Sequence, residues 1–190
     1  MATAETAALA YGRSLRDLYV IRFGFAIIWV GIMVATVADA TEPTALLTVV
    51  LIVYPAFDAG AVLWQLRVDP DHQRSKVAEW TNVVVSLAVV IALGVSSSIT
   101  IHGALAVWGG WAIVSGIPQL IAAIHHRRSG GQVAQMFSGG ISVFAGAGLL
   151  AQGLRGNGTM TGAAGYAALG AIFFLVSAVR LSVRLRRSRT

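Results

Sequence analysis

The chain has 190 residues, no cysteine, and 14 Lys+Arg against 8 Asp+Glu, for a formal net charge of +6. Hydrophobic residues make up 56%, charged residues only 12%, and the mean hydropathy is +0.74, where an ordinary soluble domain carries about 25% charged residues. A soluble fold of this size has too little interior to hide that much apolar surface. Composition therefore excludes a compact soluble enzyme, disulfides and Cys-ligated metal sites, and points to an integral membrane protein.

A spanning helix needs roughly 20 mostly apolar residues to cross a hydrocarbon core about 30 Å thick. Residues 1–17 form an N-terminal segment outside the membrane, and the first predicted span is Leu18–Ala38. Arg22 lies one turn inside it, and its long stem can carry the guanidinium out to the headgroups. An ion pair with Asp58 is the alternative. Arg13, Arg16 and Arg22 ahead of an apolar run, with Ala38-Asp39-Ala40 after it, also follow the grammar of a cleaved signal peptide. The apolar run is long for that role and further spans follow, so the span is read as retained.

The second predicted span, Thr44–Leu66, holds Tyr54-Pro55-Ala56-Phe57-Asp58. Asp58 is the one acid deep in a span. A charge at the bilayer centre costs about 2.5–3.5 kcal/mol, so it faces the bundle or water, or is protonated. Its functional reading is a proton-titrating or polar-substrate group. Its structural reading is a packing hydrogen bond to Tyr54, to Ser115 or to a carbonyl freed by Pro55. Arg22, Tyr54, Asp58 and Ser115 thus form the candidate intramembrane polar site.

The third span is predicted over Trp80–Ser96 and, after the uncharged loop Ser97–Ile101, the fourth over His102–Ile124, with Pro118 inside it. His125-His126-Arg127-Arg128 follows. Adjacent histidines point to different faces and no acid or thiol is near, so this is a cationic interfacial cluster and not a metal site. The fifth span is Val133–Leu154 and the sixth Ala163–Val183, joined through the glycine-rich hairpin Gly153–Gly162. Residues 184–190 form a basic tail suited to anionic lipid headgroups; nucleic acid is not an expected partner.

The predicted fold is an all-α membrane protein of six transmembrane helices in one domain, 18–183, built as three two-helix hairpins, 18–66, 80–124 and 133–183. With both termini in the cytoplasm, 13 of the 14 basic residues lie on or near that side and only Arg155 lies opposite, as basic residues resist translocation. Tyr19, Trp64 and Trp80 then fall near the cytoplasmic ends as an aromatic belt. In the even helices Asp58, Ser115 and Ser177 align, and in the odd helices Arg22, Asn82 and Ser138 align, with Ala26, Ser86 and Ser142 four residues on. Units of two spans keep one orientation, which implies a parallel pseudo-repeat about the membrane normal.

Small residues suit close helix packing in lipid. Ala134, Ser138, Ser142 and Gly146 form a ridge at four-residue spacing, and Ala112 and Gly116 form another. Packing within the bundle is the favoured reading, with a homo-oligomer face or a membrane-protein partner as the other. The sequence has no Walker loop, GxSxG, HExxH or paired catalytic carboxylates, so no catalytic residues, metal or cofactor are assigned.

Trp111-Ala112-Ile113-Val114-Ser115-Gly116-Ile117-Pro118-Gln119-Leu120, a basic turn, and Ser138-Gly139-Gly140-Ile141-Ser142-Val143-Phe144-Ala145-Gly146 resemble the HdeD-like family of bacterial membrane proteins. Gly165-Tyr166-Ala167 to Ser177-Ala178 continues the pattern. The resemblance covers about residues 80–183, while the first hairpin matches only through Tyr54-Pro55 and Asp58. It implies a multi-pass protein of the bacterial plasma membrane, without enzymatic activity, linked to acid or envelope stress tolerance. A small transporter or channel using Asp58 and an assembly partner of another membrane protein are the alternatives.

Overall fold

The computed structural model describes residues 2–37, 39–69, 76–125 and 133–187. The described residues form six helices, α1 (Ala2–Thr36), α2 (Ala45–Val68), α3 (Val77–Ile99), α4 (Ile101–His125), α5 (Val133–Leu154) and α6 (Thr161–Arg187), with no strand among them. Each contains a stretch long and apolar enough to cross a membrane, so this is a multi-pass membrane protein. Arg74, His126, Arg127, Arg128 and Arg189 lie outside the described residues, as does Ala38, and so do the side chains of His125 and Ala134.

The helix ends follow local chemistry. α1 begins at Ala2, well before the predicted Leu18, because the Ala-rich first ten residues are strong helix formers with no glycine or proline among them. Thr44 caps α2, its hydroxyl accepting from Leu47 N at 3.1 Å. The predicted five-residue loop between the third and fourth spans shrinks to Thr100 alone, in extended conformation. Its Oγ1 accepts from Gly103 N at 2.8 Å and so starts α4 without a longer turn.

The helices run up and down, and each touches the next around a closed circuit in which α6 returns to α1. The most extensive contacts are α1–α6, α2–α3 and α4–α5, not the predicted hairpins α1–α2, α3–α4 and α5–α6, and α5 barely touches α6. The cause at α4–α5 is a glycine seam. Gly109 and Gly116 face Gly139, Gly146 and Gly153 at seven-residue spacing, so each set falls on one stripe of its helix. A Cβ on Gly109 would lie 2.3 Å from Leu150 N, and one on Gly153 would lie 2.5 Å from Ala106 N. Backbone meets backbone here, as small residues permit in lipid. The four-residue ridge read from the sequence divides: Gly146 and Gly116 sit in the seam, Ser142 meets Gly116 from its flank, and Ser138 faces the bundle interior.

The dry core occupies one end of the bundle. It gathers the end of α1 (Trp29, Met33, Val37), the start of α2 (Leu47, Leu51), Leu93 of α3, the start of α4 (Leu105, Trp108), Leu149 of α5 and Met160 with Ala163 at the α6 start. This is the end that carries Asp39, Glu42 and Arg155. The opposite end carries the α2–α3 and α4–α5 connections and the basic C-terminus, and is called the basic end below. There Asp69, 6% exposed, ends α2 and receives Lys76 Nζ at 3.7 Å.

Candidate functional site

Below the core, toward the basic end, all six helices line one cavity of about 590 Å³. Along α6 its wall runs from Tyr166 to Arg184, roughly 27 Å at 1.5 Å per residue. Arg180 and Arg184 are exposed where it reaches the basic end. The other end is stopped by the aromatic core, where Trp29 and Trp108 stack at 5.2 Å and Tyr54 and Trp111 close edge-on at 5.9 Å.

Deep in the cavity sits an ion pair. The Arg22 guanidinium of α1 donates to Asp58 Oδ1 of α2, with side chains 11% and 16% exposed. Ser86 of α3 donates to the other oxygen, Oδ2, at 3.4 Å, and Trp111 Nε1 of α4 donates to Ser86 Oγ at 3.2 Å. Donors from α1 and α3 thus satisfy the α2 carboxylate, with α4 bracing Ser86, which is how a charge is kept inside a bundle. The guanidinium also lies 5.0 Å over the Phe174 ring, a cation–π contact that ties in α6.

These contacts correct several expectations. Arg22 does not reach out to the headgroups; an acceptor at matching depth outcompetes them. Asp58 bonds neither Tyr54 nor Ser115 but Arg22 and Ser86. Tyr54 instead packs its ring on Phe25, Trp29 and Trp108, and its side chain lines the cavity alongside Asp58. Ser115 also lines the cavity, yet its Oγ is occluded and has no hydrogen-bond partner. Tyr19 leaves the aromatic belt and stacks on Phe174 at 6.4 Å, whereas Trp64 and Trp80 remain outward, 39% and 53% exposed.

The aligned positions converge on this space. Arg22, Asn82 and Ser138 of the odd helices line the cavity, and so do Asp58, Ser115 and Ser177 of the even ones. One turn before the latter come Tyr54, Trp111 and Phe173, again all lining. Sequence reasoning missed Ser86, Trp111 and Phe174 as partners. The available signal was position: Ser86 lies four residues after Asn82 and Trp111 four before Ser115, on the faces already marked as polar. Tyr166 was also missed; its hydroxyl donates to Ser142 Oγ at 3.1 Å and bridges α6 to α5.

Three occluded polar atoms around the pair lack partners, Arg22 Nε, Asn82 Oδ1 and Ser115 Oγ. An unmade hydrogen bond on a buried group costs about 1–3 kcal/mol, so this level of the bundle holds unused polar capacity. Among the described residues no three His, Asp or Glu side chains gather as a metal site requires. The arrangement suits noncovalent capture: aromatic walls, a few polar groups and a fixed charge pair. No family model, curated protein or solved structure matches the chain.

Proposed function

We propose that this protein is a non-catalytic membrane carrier or channel that takes a small polar solute into the cavity, with Arg22–Asp58 as its recognition element. The observation that carries the reading is the single cavity to which every helix contributes, dry at one end and reaching the basic end at the other. A structural bundle gains nothing from a volume of about 590 Å³ around an ion pair, since membrane helices associate through close packing. Intramembrane charges that face such a space mark solute or proton paths. The positive-inside bias supports a cytoplasmic basic end; the cavity then opens inward, across the plasma membrane of a bacterium if the HdeD-like resemblance holds.

Acid or envelope stress tolerance is the second reading. It is supported by the resemblance, whose residues Gly116, Gly139, Ser142 and Gly146 build the α4–α5 contact.

Liposomes holding the wild type or Asp58→Asn test the proposal across a pH step. Internal dye reports protons, and swelling reports polyols, amino acids and small carboxylates. Flux in the wild type is expected to fall at least about tenfold in Asp58→Asn, the factor given by losing one charge-assisted hydrogen bond of about 1.5 kcal/mol. No flux of any probe in either protein, with both folded, would sink the transport reading and leave a structural or partner-binding role.

A further inference from the structure

We propose that the cavity is filled sideways from the bilayer: a single-chain amphiphile passes between α3 and α4, sets its polar end at Arg22–Asp58 and leaves its chain along the outer face of α3. This rests on the reading of the cavity as a solute site and names the class of solute.

The carrying observation is a shared wall. A second, shallow groove of about 460 Å³ runs along the lipid-facing side of α3, and Thr81 and Val85 line both it and the central cavity. Its remaining walls are Lys76, Val77, Trp80 and Val84. Val77, Trp80 and Val84 are 69%, 53% and 63% exposed, an apolar bed at the basic end of the third span. Val114 of α4 lines the same cavity as Thr81 and is itself 45% exposed.

The helix packing explains why the two lips part here. α3 and α4 are pinned together at Thr100, at the far end of the bundle. From there α4 follows α5 down the glycine seam, while α3 follows α2. α3 therefore packs less closely on α4 than on α2, and α4 less closely on α3 than on α5.

The gap lies about one helical turn from the ion pair toward the basic end: Thr81 comes five residues before Ser86, and Val114 three after Trp111. A head held at the ion pair reaches it by a short step along the membrane normal. A ligand site that is mostly apolar with a few fixed polar groups selects such a molecule. On the cavity wall Arg22, Arg180 and Arg184 outnumber Asp58 and Glu79, which makes a carboxylate head the better match than an ammonium one.

The absence of cysteine allows a direct test. Ser177→Cys, on the cavity wall of α6, is labelled with bimane and reconstituted in phosphatidylcholine liposomes. The label is then exposed to 5-doxyl-stearate, to doxyl-phosphatidylcholine and to water-soluble 4-carboxy-TEMPO. The proposal expects quenching by doxyl-stearate beyond that by the two-chain lipid. It expects most of that quenching to be lost when Val114→Trp closes the gap, while 4-carboxy-TEMPO quenches both proteins equally. Thr81→Trp, on the other lip, gives the same readout if Val114→Trp fails to fold. Quenching by 4-carboxy-TEMPO without any by doxyl-stearate would overturn the lateral route and leave the cavity reading intact. Stearate quenching that survives both tryptophans would also overturn it. If neither nitroxide reaches the label, the cavity reading falls too.

Discussion

Gly146→Val should cost about 3 kcal/mol of stability, at the top of the range for overpacking. A Cβ on Gly146 would stand 2.7 Å from Gly109 O and 2.9 Å from the Ala112 Cβ. The carbonyl belongs to helix backbone and cannot swing aside, so relief requires α4 and α5 to move apart along their whole contact. Gly109→Val, with its Cβ 2.3 Å from Leu150 N, should do the same. Gly148→Ala is the control, because nothing lies within 4 Å of its added Cβ. Denaturant titration of the detergent-solubilised protein, followed by far-UV circular dichroism, reads all three. Equal midpoints for Gly146→Val and Gly148→Ala would show that the seam does not hold α4 to α5.

Asp58→Ala should destabilise the protein by about 3–5 kcal/mol, because removing one partner leaves a buried charge uncompensated. The two side chains are 11% and 16% exposed, so little water remains to solvate Arg22 once its acceptor is gone. Arg22→Ala should cost less than Asp58→Ala. The carboxylate it leaves still accepts from Ser86. Arg22→Met with Asp58→Leu should recover most of the loss, as apolar replacement of a buried pair often does. The same titration measures the cycle. Additive single and double effects would mean that the two groups do not interact.

The fold was largely legible from the sequence, and the physical reasons are specific. Apolar run length located every span except the start of the first to within a few residues, since the bilayer sets that length, and the fifth helix appears at its predicted bounds, Val133–Leu154. α1 extended further because helix propensity does not stop at the membrane surface. Partner choice among helices was not legible from composition. The four-residue ridge on the fifth span obscured the glycines at seven-residue spacing that hold the α4–α5 seam.

Asp58 was legible as a site because charge in a span is costly, and Tyr54, Ser115 and Arg22 all line its cavity. Its partners were not, because depth along separate helices fixes them. Arg22 meets Asp58 across 36 residues, and Trp111 meets Ser86 across 25. The aligned odd and even positions were the one clue that crossed helices, and they fall around one space.

The cavity reaches from the basic end to the level of Asp58 and stops at the aromatic core. Single cysteines in this cysteine-free chain test it most directly, probed in sealed liposomes with a charged, membrane-impermeant thiol reagent added from either side. Ser177→Cys and Gln119→Cys, both on the cavity wall, should react from the basic-end side alone. Leu105→Cys and Met160→Cys, each 0% exposed in the core, should react from neither. Protection of Ser177→Cys would show that the cavity is closed to the basic end, and modification of Leu105→Cys as fast as of Ser177→Cys would show that it does not stop at the aromatic core.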